Sequence, residues 1–248
     1  VRALETWAIV LGAGSGDRLG ADRPKAFVRF AGGTLIAASL EAFELHPGID
    51  GVVVTIPEGY EEHIGLVADD IGAGKIATAV PGGPSRAESV AIALESLPVS
   101  ADFVLVHDAA RPVVGPDVID RVLAGLADGA DGVVPALEVV DTIKRLGDDG
   151  SIAETLVRSA LRAVQTPQGF PVTVLRNAVA QAGERLATAT DCATLVEWVG
   201  GRVVCVDGDA RNMKVTHPDD LARAEALVGW TEADEVDDDE AWDLADDE

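Results

Sequence analysis

The sequence predicts an α/β fold, a Rossmann-like and mostly parallel sheet with helices on both faces and one protruding β-arm. Three observations lead there. Short apolar runs of strand length recur along the chain, amphipathic helical stretches fall between most of them, and a glycine-rich turn directly follows the first run. Such alternation covers a parallel sheet on both faces, and the carboxyl ends of its strands are where ligands sit.

The first strand is expected over 7–11, and the others over 52–56, 76–80, 103–106, 132–136 and 203–206. Helices announce their starts between them. Thr34 precedes an apolar run, Ser85 stands three residues before Glu88 as a capping box, and Pro116 and Pro218 occupy first-turn positions. Residues 137–164 break the rhythm, with two short apolar or β-branched patches around Gly147-Asp148-Asp149-Gly150 and no helical period. They read as a β-rich arm, and an arm of that size needs a partner surface, so a homodimer through it is expected. One nucleotide-handling domain over 1–228 is expected, followed by an acidic, disordered tail over 229–248, which holds eleven Asp or Glu and no Lys or Arg.

Charge narrows the function. With 43 acidic and 19 basic side chains the net charge is −24, which repels a phosphate backbone and excludes a general nucleic-acid binder. No apolar run is long enough to span a bilayer and no secretory signal is visible, so no membrane role is expected and the expected address is cytoplasmic. Cys192 and Cys205 lack the spacing of a zinc site and read as buried free thiols.

Any phosphate must therefore be held locally, and the turn 11–20 offers the means. Its glycines let backbone N–H groups face an anion. Asp17 stands where a dinucleotide fingerprint wants glycine, and the Gly-Lys-Ser/Thr of a P-loop is missing. Instead Arg18 and Arg23-Pro24-Lys25 follow, cations suited to a triphosphate whose charge grows during nucleotidyl transfer. The chain has fifteen arginines but four lysines, Lys25, Lys75, Lys144 and Lys214; an ammonium is a compact charge that approaches phosphoryl oxygens closely. Lys75 reads as an ordinary solvated charge. Asp108, at the end of a buried strand in His107-Asp108-Ala109-Ala110-Arg111-Pro112, faces the same crevice and suits a phosphate-bound Mg²⁺. The alternative is that Asp108 caps a turn and pairs with Arg111, while His107 reads as a satisfied sheet-end histidine. The turn around Gly82 and Gly83, with Ser85 and Ser89, can read a base edge or simply start a capped helix.

Taken in order with Asp141-Thr142, Gln165-Thr166-Pro167-Gln168, Thr190-Asp191 and Asn212-Met213-Lys214, these segments resemble the 2-C-methyl-D-erythritol 4-phosphate cytidylyltransferases. The resemblance runs from about Trp7 to Leu227. It implies Mg²⁺- or other divalent-cation-dependent transfer from CTP to a small polyol phosphate, with pyrophosphate released, in a homodimer built through the arm. It implies that Gly12, Ala13, Gly14, Gly16 and Arg18 wrap the triphosphate, that Lys25 and Lys214 lie near the α-phosphate, and that Gly83 and Ser89 meet the cytosine. Asp108 and Ala109 belong with the ribose or metal region. The methylerythritol phosphate falls to Arg111, Thr142, Arg158, Thr166 and Thr190, the arm residues reaching into the neighbouring subunit. Arg18, Lys25 and Lys214 carry the catalysis in this reading, by direct attack of the acceptor's phosphate oxygen on the α-phosphorus.

The chain departs from the family pattern at Gly12 (usually alanine), Pro84 (often a polar residue beside the base), Val140 (arginine in some relatives) and the acidic tail. Two other readings stand beside this one: a cytidylyltransferase for another polyol phosphate such as ribitol 5-phosphate, and a non-catalytic nucleotide-binding module. A dehydrogenase fails on Asp17 and on the missing ribose-binding acid.

Overall fold

A computed structural model describes residues 2–16, 19–20 and 23–229 of the chain. The expectations for Asp17, Arg18 and the acidic tail beyond 229 lie outside the described residues. In chain order the strands are β1 (Glu5–Leu11), β2 (Arg29–Phe30), β3 (Gly33–Thr34), β4 (Gly51–Ile56), β5 (Ile76–Pro81), β6 (Ala101–Asp108), β7 (Gly132–Glu138), β8 (Lys144–Leu146), β9 (Ile152–Thr155), β10 (Arg162–Val164), β11 (Gln168–Pro171) and β12 (Val203–Asp207). The helices are α1 (Leu35–Leu45), α2 (Glu61–Asp70), α3 (Arg86–Glu95), α4 (Pro116–Ala127), α5 (Val172–Ala182), α6 (Cys192–Trp198) and α7 (Pro218–Gly229).

The main sheet is mostly parallel. β1 lies between β4 and β6, parallel to both, and β5 extends the sheet beside β4. β12 runs parallel to β7, while β11 is antiparallel to both β6 and β7, and β10 is antiparallel to β7. All six expected apolar runs are strands of this sheet. The helix starts also follow their local chemistry. The Ala37 N–H donates to the Thr34 hydroxyl at 3.2 Å, the Glu88 N–H donates to the Ser85 hydroxyl at 3.2 Å, and Pro116 and Pro218 open α4 and α7.

Helices bury apolar side chains on both faces. Ile36, Phe43, Ile64 and Ile119 of α1, α2 and α4 share one core cluster, and Val90, Leu175 and Leu195 of α3, α5 and α6 share another. β4 is buried along its whole length, as a strand covered on both faces must be. Each such aliphatic side chain contributes about 1.5–3 kcal/mol through its removal from water.

Two features differ from expectation. β11, Gln168-Gly169-Phe170-Pro171, has no β-branched residue and so no strand signature. It is held by packing: Phe170 is fully buried, and a Cβ at Gly169 would lie 2.5 Å from Val122 Cγ1 of α4. Cys205 corrects the expectation of two buried thiols. Both cysteines are free, but only Cys192 is buried; Cys205 is exposed on β12, which pairs with β7 alone.

β8 and β9 form a separate antiparallel hairpin, with every residue exposed. Its turn is closed by the Gly147 N–H donating to the Ser151 carbonyl at 2.9 Å, and Gly150 has φ 78°, a conformation suited to glycine. Among the described residues no helix is long and apolar enough to cross a membrane.

The strand order places the site. From β1 the chain moves outward through β4 and β5, then returns to the other side of β1 as β6, so a crevice opens between the carboxyl ends of β1 and β6. Leu11 and Asp108, the last residues of those strands, are partners in register.

Candidate active site

A cleft of about 600 Å³ occupies that crevice. Its floor is the glycine loop after β1. The Gly12 N–H donates to the Thr55 carbonyl at 2.8 Å, and a Cβ at position 12 would lie 2.7 Å from Ile36 Cδ1 and 2.9 Å from the Thr55 oxygen, so this backbone is seated directly on β4 and α1. Gly16 has φ 78°, and a Cβ there would lie 2.5 Å from Lys25 Cβ. Glycine at 16 thus lets the loop close onto Lys25, which opens a single 3-10 turn, Lys25–Phe27, behind Pro24.

The opposite wall is the turn between β5 and α3. A Cβ at Gly82 would lie 2.2 Å from the Ala13 Cβ, so the Gly82 backbone packs directly on the Ala13 methyl of the first turn. The Gly83 N–H donates to the Ser89 hydroxyl at 3.0 Å, and that hydroxyl donates to the Ser85 carbonyl at 2.9 Å. Ser89, 5% exposed, therefore fixes the shape of the turn from within α3.

Asp108 organises the third side. Arg86 Nε donates to its Oδ1 at 3.0 Å and Lys214 Nζ donates to its Oδ2 at 2.7 Å. Burial alone would raise the Asp108 carboxyl, but the charges of Arg86 and Lys214 outweigh it and hold the group well below the usual carboxylate range. Burial acts to lower the Arg86 guanidinium, and the neighbouring Asp108 reverses this to hold it above its ordinary value. The alternative in which Asp108 pairs with Arg111 gives way to this arrangement. Arg111 is 9% exposed and donates from Nη1 to the Asn212 carbonyl at 2.7 Å and from Nη2 to the Val164 carbonyl at 3.4 Å.

The metal expected at Asp108 finds a poor donor set. Asp108 is the only carboxylate among the described lining residues, both of its oxygens already serve cations, and no group of three or more His, Cys, Asp or Glu side chains is gathered among the described residues. These residues do not fit a protein-held Mg²⁺, which would have to compete with Arg86 and Lys214 for the Asp108 oxygens. His107 is fully buried between the Arg111 carbonyl at 3.1 Å from Nε2 and the Thr166 hydroxyl at 3.1 Å from Nδ1. Burial pushes its pKa down to about 4, so it is a neutral structural ring at neutral pH.

The cleft brings together Gly12, Ala13, Gly14 and Gly16 with Gly83, Ser89, Asp108 and Ala109, and with Lys25 and Lys214. Other expected residues do not line it. Thr166 is buried behind Asp108, its hydroxyl accepting the Asp108 N–H at 3.1 Å. Thr142 and Arg158 are exposed beside the hairpin, where Arg158 donates to the Val140 carbonyl. Thr190 is exposed just before Asp191, the N-cap of α6. Arg86 is the residue that sequence reasoning missed. Its signal was its place at the first position of a capped helix beside a glycine turn.

Known proteins with this architecture resemble it in sequence. A family model described as 2-C-methyl-D-erythritol 4-phosphate cytidylyltransferase matches residues 6–230. A protein of that name from Saccharopolyspora erythraea is 42% identical over 224 residues, covering 89% of this chain and 98% of the relative. Another from Rhodococcus jostii is 43% identical over 221 residues, covering 89% and 94%. Among solved structures, the Thermus thermophilus enzyme of the same name superposes with TM-score 0.73 at 36% identity, covering 90% of this chain and 98% of that one. A 4-diphosphocytidyl-2C-methyl-D-erythritol synthase from Anaerococcus prevotii superposes with TM-score 0.80 at 25% identity, covering 92% and 99%.

Proposed function

Because the chain belongs to the 2-C-methyl-D-erythritol 4-phosphate cytidylyltransferase family, it transfers a cytidylyl group from CTP to 2-C-methyl-D-erythritol 4-phosphate in isoprenoid biosynthesis, and we propose that Lys25 and Lys214 carry that transfer. In this reading an oxygen of the acceptor phosphate bonds to the α-phosphorus while the bond from that phosphorus to the β-phosphate bridge breaks. Pyrophosphate leaves with its electron pair and no covalent enzyme intermediate forms. The attacking phosphate is ionised at neutral pH, so it needs alignment and charge stabilisation more than a base. The neutral, pinned His107 is in keeping with chemistry that uses no histidine base.

One observation supports the reading above all. On a chain of net charge −24, the cleft gathers Lys25, Arg86 and Lys214 against the single carboxylate of Asp108 among its described lining residues. The glycine loop would hold the triphosphate through backbone N–H groups, Arg18 adding charge beside it, and the Gly83 turn with Ser89 would take the cytosine. A divalent cation, Mg²⁺ or another, would be carried by the phosphates themselves and would shield their oxygens. Arg111 and Thr166 would support the acceptor end from behind Asp108, and Thr190 would border it.

The arm completes the proposal. Val140, Leu146, Ile152 and Val157 are exposed apolar side chains on or beside the hairpin, which suits a homodimer in which Thr142 and Arg158 reach the neighbour's cleft. We take residues up to about 228 as one catalytic domain working in the cytoplasm, with no chemistry assigned to the tail. A side-by-side assay of pyrophosphate release with CTP tests the acceptor. Release with 2-C-methyl-D-erythritol 4-phosphate and at least about a hundredfold less with ribitol 5-phosphate is expected; equal rates would overturn the assignment.

A further inference from the structure

Asp108 presents one oxygen to a lysine that borders the cleft and the other to Arg86, which adds charge to the cleft but has no place in the transfer step. The ammonium of Lys214 sits at the end of a flexible stem, its side chain 42% exposed, so its direction depends on what holds Asp108. Among the described residues the Arg86 guanidinium is itself held at two atoms. Nε meets Asp108 Oδ1, Nη1 donates to the Cys192 thiol at 3.3 Å, and Nη2 is buried with no hydrogen-bond partner among the described residues.

The backbone that carries the thiol is in turn held from β11. The Cys192 and Ala193 N–H groups both donate to Gln168 Oε1, at 3.0 and 3.3 Å, and Gln168 Nε2 donates to Asp191 Oδ2 at 2.9 Å. Asp191 caps α6 through its other oxygen, accepting the Thr194 N–H at 2.9 Å. A continuous line of contacts thus runs from β11 through α6 and α3 to the end of β6 and on to Lys214. Removing the thiol would leave the arginine fork pinned at Nε alone, free to rotate about it.

We propose that Arg86, braced by the Cys192 sulfur, is a positioning residue that fixes the Asp108 carboxylate and through it the aim of Lys214 into the cleft. The proposal rests on the reading that Lys214 meets a substrate phosphate. Arg86 and Cys192 then act through Asp108 and touch no substrate. Arginine is required because its planar fork spans carboxylate and thiol together, whereas a lysine is a single charged point.

The test is steady-state kinetics of Cys192→Ala, Cys192→Ser, Arg86→Gln and the Arg86→Gln/Cys192→Ala double variant, with CTP and 2-C-methyl-D-erythritol 4-phosphate varied separately and thermal midpoints recorded. Cys192→Ala is expected to lower kcat/KM for the acceptor about tenfold with KM for CTP within about threefold, and Cys192→Ser to stay within about twofold of the parent. Arg86→Gln is expected to lose about a hundredfold, and the double variant no more than that, because the thiol works only through the arginine. Parental kinetics in Cys192→Ala, or losses that multiply in the double variant, would overturn the proposal. Should Cys192→Ala not fold, Arg86→Lys keeps the charge but cannot span both atoms. An acceptor-specific loss in it supports the proposal and parental kinetics overturns it. Absence of turnover in the unaltered protein would count against the reading of Lys214 instead, since only differences among variants bear on Arg86.

Discussion

The cleft and the hairpin arm are built on opposite terms. In and behind the cleft, polar groups are half-buried or buried and tied to partners: Asp108 to Arg86 and Lys214, and behind it Arg111 to two carbonyls and the neutral His107 to a carbonyl and a hydroxyl. On β8 and β9 every side chain is exposed, and Leu146 and Ile152 show 61% and 63% of their surface. A buried ion cluster gives fixed geometry at the cost of desolvation, and an exposed apolar hairpin gives adhesion without fixed geometry. In the proposed reading the nucleotide side lies within one chain, while Thr142 and Arg158, on the exposed arm, would meet the acceptor only in a second copy.

The sharpest way to break this contrast is to strip the cleft of a charge. Lys25→Ala is expected to lower kcat about a thousandfold with KM for CTP within about threefold, because charge that develops at the α-phosphate loses its stabiliser while ground-state contacts remain. Near-parental turnover would remove Lys25 from the mechanism. Next comes the arm. Leu146→Glu with Ile152→Glu is expected to give a monomer by sedimentation and at least a thirtyfold drop in kcat/KM for the acceptor, with CTP affinity by calorimetry unchanged. A fully active monomer would show that one chain holds the whole site.

A smaller effect is expected at Gly16. Alanine there must adopt a left-handed backbone, costing about 1–2 kcal/mol, and must push against Lys25 Cβ. About a tenfold loss of kcat with the thermal midpoint lowered by a few degrees would match; unchanged kcat would mean that the loop does not set the position of Lys25.

The gentlest probe is acid. His107 has its folded pKa lowered to about 4 from 6.5, so between those values the unfolded chain binds a proton that the folded chain does not. Stability is therefore lost as pH falls from about 6.5 to about 4, by about 3 kcal/mol over the window. Denaturant midpoints at several pH values should show that slope flattened in His107→Gln. The Asp108 shift has the same sign: its contribution is present above the unfolded carboxylate value and is lost as pH falls below it, in stronger acid than the His107 window.

What the sequence made legible was whatever depends on neighbours in the chain. The six apolar runs became strands, Thr34 and Ser85 capped their helices, and the Gly147–Gly150 segment became a hairpin turn. What it hid depends on contacts made at a distance. The bond from Arg86 to Asp108 spans 22 positions, that from Lys214 to Asp108 spans 106, and that from Arg86 to Cys192 spans 106. Its place at the start of a capped helix marks Arg86 among fifteen arginines, but nothing local names the partners it meets. β11 stayed hidden for a similar reason, since its pairing with β6 and β7 compensates for a sequence without strand propensity. Cys205 looked like a core residue because an edge strand and a central strand share the same apolar pattern.

The central claim is that one small positive cradle, between the ends of β1 and β6, receives the α-phosphate. A crystal structure of the protein with CTP and an unreactive analogue of 2-C-methyl-D-erythritol 4-phosphate tests it most directly. The account predicts the Nζ atoms of Lys25 and Lys214 within about 3 Å of oxygens on the α-phosphate or the acceptor phosphate. Phosphates bound away from both ammonium groups, with Lys214 still held by Asp108, would contradict it.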